Sequence, residues 1–165
     1  MNSSVSAQAL TERTVIESFD KEFARLYVRL CRLIDATACD SLYVNPPPGS
    51  ESGGIPSVGQ LVLRSAGVVE QTFGGLTTNL WDDPFEWTLP ETLSTKDLIR
   101  EYLAEVEDTR KRAFVRFLND GNLPKLIAVP DGDPTPLVGL LLDTLARASD
   151  YQGRATLVHG LLRQK

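Results

Sequence analysis

From Leu137 to Leu162 the chain repeats apolar or small residues at alternating steps of four and three: Leu137, Leu141, Thr144, Ala148, Tyr151, Ala155, Val158 and Leu162. That spacing is the seam of an α-helix packed against other helices. Thr135 followed by Pro136 offers an N-cap residue and then a ring suited to the first turn, so Pro136 to Lys165 is expected to be one C-terminal helix. Arg147 and Tyr151 stand one turn apart on it and point the same way, a polar pair along an apolar groove.

Three further segments carry helical spacing. Ile16, Phe19, Phe23, Leu26, Tyr27, Leu30, Leu33 and Ile34 make an amphipathic helix reaching about Ala38, opened by a capping box at Thr14 to Glu17. Its exposed side carries Lys21, Arg25, Arg29 and Arg32, and the small polar residues Met1 to Leu10 before it are expected to fray. Prolines and glycines in residues 45–56 then form the strongest break in the chain. Ser57 capping with Gln60 reaching back starts a second helix that runs to about Thr78. Gly59 and Gly67 each cost it up to about 1 kcal/mol, which suggests a close approach between helices. The aromatic-rich loop from Trp81 through Trp87 to Thr92 must pack on the bundle or line a pocket mouth, packing being the preferred reading.

Ser94-Thr95-Lys96-Asp97 opens a third helix whose buried stripe is read as Leu98, Tyr102, Val106, Thr109, Ala113, Phe114 and Phe117, ending near Asn119-Asp120-Gly121. Its opposite face is read as solvated charge, with Glu101, Glu105 and Asp108 alternating with Arg100, Arg110, Lys111 and Arg112. Residues 122–135 suggest a short extended piece or hairpin-like turn. The expectation is an all-α protein, a four-helix bundle with long inter-helix loops, in a single domain over 1–165.

Composition narrows the partners. With 42% hydrophobic and 24% charged residues the chain is ordinary globular material, and a formal charge of −5 argues against nucleic acid. No run is long and apolar enough for a membrane span and Met1 to Leu10 has no signal-peptide core, so a reducing cytoplasm is expected. Cys31 and Cys39 lie roughly 12 Å apart along a helix axis, too far for a disulfide, and read as buried thiols.

Helix two and helix four together resemble the DinB-like superfamily of four-helix bundles, which includes the YfiT-type proteins and thiol-dependent transferases. The likeness rests on Ser57-Val58-Gly59-Gln60-Leu61-Val62-Leu63, on Gly153, and on the ending Leu161-Leu162-Arg163-Gln164. In that family three histidines on these helices hold a metal. Here the corresponding positions are Arg64, Arg147 and Tyr151. A guanidinium repels a divalent cation, so no family-type metal site and no cofactor are expected. The resemblance also implies a homodimer.

If those three positions converge as the resemblance implies, two guanidinium forks and one hydroxyl suit a small anion, a carboxylate or phosphate. The structural reading is that Glu70, Glu101, Glu105, Asp108, Asp143 or Asp150 neutralises the arginines, with Asp143 and Arg147 already an i, i+4 pair. A carboxylate-only metal site from Glu70, Glu105 and Asp143 lacks the Glu-x-x-His pattern of ferritin-like centres. His159 is the only histidine, so no histidine-based triad or metal cluster assembles, and it reads as a helix-end histidine favoured by the dipole. The reading is therefore a non-enzymatic protein with a remodelled Arg/Tyr pocket. Two alternatives stand beside it: a metal-independent transferase that holds an acidic thiol cofactor, and a partner-binding protein anchored by the loop from Trp81 to Trp87.

Overall fold

Four α-helices form where the apolar spacing places them: α1 Thr14–Ala36, α2 Val58–Thr78, α3 Lys96–Arg116 and α4 Leu137–Leu162. The computed structural model describes residues 12–46, 54–84, 88–130 and 132–163. Residues Met1 to Leu10, most of the Pro/Gly/Ser loop, and Phe85, Glu86 and Trp87 lie outside the described residues. Leu126–Ile127 (β1) pairs antiparallel with Thr135–Pro136 (β2), the second of the two forms, extended piece or hairpin-like turn, expected before α4. No helix among the described residues is long and apolar enough to cross a membrane.

The direction of each helix follows from the bonds between them. The Ser65 hydroxyl donates to the Ala148 carbonyl at 2.7 Å and Thr72 meets Thr144 at 2.8 Å, so α2 and α4 run antiparallel. Tyr102 donates to Glu70 and Arg116 to the carbonyl of Thr77, so α3 runs parallel to α2. Asp20 meets Arg110 and Asp35 meets Arg100, so α1 opposes α3. Around the bundle the order is α1, α3, α2, α4. Helix α2 buries 13 of its 21 residues against 7 of 23 in α1, which makes α2 the element the others wrap.

Where α1, α2 and α3 meet, Phe23, Phe73 and Phe114 form one aromatic cluster. Phe23 and Phe73 are edge-to-face at 5.1 Å, and Phe73 and Phe114 lie 5.5 Å apart. Each such pair is worth about 0.5–1.5 kcal/mol beyond its buried area.

The helix ends depart from expectation in instructive ways. Helix α2 has the Ser57 and Gln60 capping box and closes on Asn79 in the left-handed region at φ 58°. Helix α1 has no capping box at Thr14 to Glu17. Its N-cap is Arg13, whose side chain caps nothing at that end, and the carboxylate of Asp120 instead accepts from the amides of Val15 and Ile16, both at 3.0 Å. Arg13 reaches the other way, donating to the carbonyls of Phe114 and Phe117 at the end of α3. At the far end Lys96 donates to the carbonyls of Asp35 and Thr37. Each helix thus neutralises the other's terminal dipole.

Thr135 is not the N-cap of α4. It sits in β2, Pro136 occupies the cap position, and no side chain caps this end. The amides of Leu137 and Val138 donate to the carbonyls of Lys125 and Leu123, so the hairpin backbone replaces a capping side chain. Helix α1 ends at Ala36, leaving Cys39 in a 3-10 turn; Cys39 is exposed and Cys31 half-buried, so neither is the fully buried thiol expected.

Two glycines mark close approaches, though neither is between helices. A Cβ on Gly59 would stand 2.6 Å from the Tyr43 ring, and one on Gly75 2.3 Å from the Trp81 ring. Trp81 therefore packs flat on α2.

Removing the Asp120 carboxylate orphans two amides of α1. The Asp120→Ala protein is expected to lose about 1–2 kcal/mol in chemical denaturation while keeping its helical circular dichroism. A loss within error of zero would show that this end of α1 needs no cap.

Candidate functional site

The Ser65–Ala148 bond fixes the crossing of α2 and α4, and the next residue on each helix is an arginine: Arg64 before Ser65 and Arg147 before Ala148. Both are exposed. Tyr151 stands one turn further along α4, half-buried, with the Arg154 guanidinium 5.7 Å over its ring. Arg147 faces Asp143 at 3.5 Å, the i, i+4 pair read from the sequence, and the two side chains keep 53% and 62% of their exposure. Arg154 is held by Asp150 at 3.8 Å.

Arg147 lines a cleft of about 240 Å³ between α2, α4 and the hairpin loop. Gln71, Thr72 and Trp81 form one wall and Val129, Pro130 and Leu140 the other, with Asp143 at the rim. Neither Arg64 nor Tyr151 lines it. Trp81 is fixed there by three contacts: its ring lies on Gly75, its indole N–H donates to Asn79 Oδ1 at 3.4 Å, and its carbonyl accepts from Gln71 Nε2 at 3.2 Å. The cleft offers one guanidinium fork in a lining of mixed polarity, to which Gln71, Thr72 and Asp143 add polar groups and Trp81, Val129, Pro130 and Leu140 apolar surface. Sequence reasoning reached Arg147 but not Gln71 or Trp81 as its neighbours. The available signal was Gly75, a small residue whose missing Cβ leaves room for a ring.

The strongest ionic group lies elsewhere and was misread. Arg110, placed on the solvated face of helix three, is buried with 3% of its side chain exposed. Its Nε and Nη2 donate to both oxygens of Glu107 at 2.7 and 2.8 Å, and Nη1 donates to Asp20 of α1. The Phe114 ring lies 5.2 Å from the guanidinium carbon. Burial opposes the charge, but the bonds from Glu107 and Asp20 more than offset it and hold the Arg110 pKa above its ordinary value. The buried stripe of α3 runs through Ile99, Leu103, Val106, Arg110 and Ala113 rather than Leu98 and Thr109, so Arg110 occupies a core position in the four-three repeat. That register was the readable signal. Every donor on this guanidinium's inner edge is already used, so it is a structural group.

On the α2–α3 side, Glu70 accepts from the Tyr102 hydroxyl above a groove shared with Glu105, Thr109 and Arg112. Burial pushes the Glu70 carboxyl above its ordinary 4.5, with Glu105 adding to the shift and the Tyr102 bond opposing it. Tyr102 itself is driven strongly upward, mainly by burial, and stays a donor. Glu70 and Glu105 share this groove, while Asp143 lies with Arg147 in the other cleft, so that carboxylate trio is not assembled. No group of three His, Cys, Asp or Glu side chains among the described residues could hold a metal.

His159 meets the Thr37 hydroxyl through Nδ1 at 3.1 Å. Thr37 donates its one proton to the Leu33 carbonyl, so Nδ1 must carry the hydrogen. Burial, then Arg163, lowers the His159 pKa, which overrides the helix-end stabilisation expected of a charged imidazole. Burial likewise raises the Cys31 thiol. Neither is poised for nucleophilic chemistry.

No protein-family model matches the sequence, and no curated protein matches it.

Because the folded Glu70 pKa is raised, the fold favours the protonated acid. Its stabilising contribution is complete below the ordinary carboxyl range and is lost as pH rises through the folded value. Glu70→Gln, which can still accept from Tyr102, is expected to match wild type below about pH 4 and to exceed it in stability at neutral pH. Denaturation midpoints at several pH values check this; a variant that is less stable at neutral pH would contradict it.

Proposed function

We propose that the chain is a DinB-like, YfiT-type bundle without the family's metal site, that it is not an enzyme, and that it binds a small carboxylate through Arg147. The family reading is supported by the segments Ser57 to Gly67 and Leu145 to Gln164 and by four helices in the expected order. The binding reading is carried by one observation: Arg147 lines a walled cleft, where its ion pair among the described residues is a long, exposed one with Asp143.

Magnitudes favour exchange of that partner. An exposed ion pair contributes about 0–1 kcal/mol. A hydrogen bond to a charged group contributes about 1.5–3 kcal/mol where a bound ligand shields it from water. A ligand carboxylate can therefore replace Asp143 at little cost, while its body lies against Trp81 and Leu140. Arg64 and Tyr151 lie outside the cleft and take no part in binding in this reading. The partner-binding alternative has less support, because Trp81 is folded onto Gly75 rather than presented.

A thermal-shift screen with small carboxylates, phosphates, acidic thiols and divalent metals tests the proposal. A carboxylate with an apolar body is expected to raise the melting temperature. Arg147→Ala is expected to weaken its binding roughly tenfold to a hundredfold in calorimetry without changing the unliganded stability. Stabilisation by a metal alone, or an unchanged affinity in Arg147→Ala, would overturn it.

A further inference from the structure

Between α2 and α3, two adjoining hollows of about 240 and 360 Å³ share Glu70, Thr109 and Arg112. Glu105 and Asp108 line one of them, and Asp82 and the 60% exposed Leu80 line the other. Groups of both charge signs thus face one groove without pairing with each other. Arg112 donates through Nη2 to the Thr109 hydroxyl at 2.9 Å, and among the described residues no carboxylate lies within ion-pair distance of its guanidinium. Glu70 accepts from Tyr102 through Oε2, while its Oε1 has no hydrogen-bond partner among the described residues.

The surrounding charges leave this mismatch in place. Lys111 stands 3.9 Å from Asp108, and Arg116 donates to the Thr77 carbonyl at 2.9 Å, but neither cation lines the groove. Glu101, one turn before Glu105, is exposed outside it. Glu70, Asp82 and Glu105 have no cation within ion-pair distance among the described residues. Burial foremost, with Glu105 adding to it, raises the Glu70 carboxyl, and an ammonium beside Oε1 relieves both effects.

This charge order sorts ligands. A plain carboxylate that reaches Arg112 also meets Glu70 and Glu105, and a plain diamine brings a like charge beside the guanidinium. A molecule with one carboxylate and two ammonium groups answers every unpaired group at once. The remaining N–H groups of Arg112 offer the planar fork that a carboxylate accepts from.

We infer that the α2–α3 groove binds an α-amino acid whose side chain carries a second ammonium, of the lysine kind. Its carboxylate accepts from Arg112, its α-ammonium donates to Glu70 Oε1 and Glu105, and its side-chain ammonium reaches Asp82 with the methylenes along Leu80. The groove shares only Gln71 with the lining of the Arg147 cleft and does not depend on the reading of that cleft.

Calorimetric titration of the full chain with L-lysine at neutral pH tests this, with L-norleucine lacking the second ammonium and cadaverine lacking the carboxylate. Lysine is expected to bind saturably at one site, and each analogue at least about tenfold more weakly. Arg112→Gln is expected to weaken lysine by about tenfold or more and to leave cadaverine no weaker, because only lysine uses the guanidinium. Glu70→Gln is expected to weaken lysine similarly while gaining stability at neutral pH, so its loss of binding is not a loss of fold. Arg147→Ala is expected to bind lysine as wild type does, which separates this site from the other cleft. Lysine that shows no saturable binding up to its solubility overturns the inference. So does cadaverine or norleucine binding as tightly as lysine, or a lysine affinity unchanged in Arg112→Gln or Glu70→Gln, or one lost in Arg147→Ala.

Discussion

The salt-bridged clamp between α1 and α3 is the constraint on which the arrangement depends. These helices are joined at three levels by polar groups, in addition to the apolar contact of Phe23 with Phe114. Asp120 and Arg13 tie one end, Arg110 with Asp20 and Glu107 ties the middle, and Lys96 with the Arg100–Asp35 pair ties the other. The middle level is the demanding one, because a buried guanidinium is tolerable only while its carboxylates stay in place. Losing either partner would strand a charge beside the Phe23, Phe73 and Phe114 cluster. The α2–α4 pair is built on a different principle, with the small residues Ser65, Thr72, Thr144 and Ala148 in contact and two hydroxyl bonds fixing the register.

This division decides where free chemistry remains. On α1 and α3 the inward-facing cation is fully engaged by Glu107 and Asp20, and the terminal cations are engaged by helix ends. On the α2–α4 side the polar groups at the crossing are hydroxyls bonded to backbone or to each other. The guanidinium of Arg147 stands at a cleft, and among the described residues its ion pair is a long surface one with Asp143. Recognition by that fork follows from the packing scheme: the bundle uses its buried charge for architecture and keeps a weakly held one at an opening.

The sequence made much of this legible, and the failures have physical reasons. Spacing located all four helices, the Ser57 and Gln60 box was read to the residue, and the hairpin before α4 was anticipated from its turn chemistry. The cap on α1 was not, since Asp120 acts across 105 positions and no local pattern reports a contact of that range. Arg110 was misplaced because charge was weighed above register, although its position in the apolar repeat of α3 was visible. At the site, Arg147 and its Asp143 partner were within reach because they share a helix. Trp81 was not, because its place depends on Asn79 turning the chain back across Gly75.

The most direct measurement of the central claim is a two-dimensional ¹H–¹⁵N NMR titration of the protein with benzoate, a carboxylate with a flat apolar body. If the weakly held guanidinium of Arg147 at the α2–α4 cleft is the one that binds, saturable shifts are confined to the Gln71 side-chain amide, the Trp81 indole N–H and backbone amides near Arg147. Shifts centred on Arg110, or on the arginines of α1, with the Trp81 indole unmoved, would contradict the account.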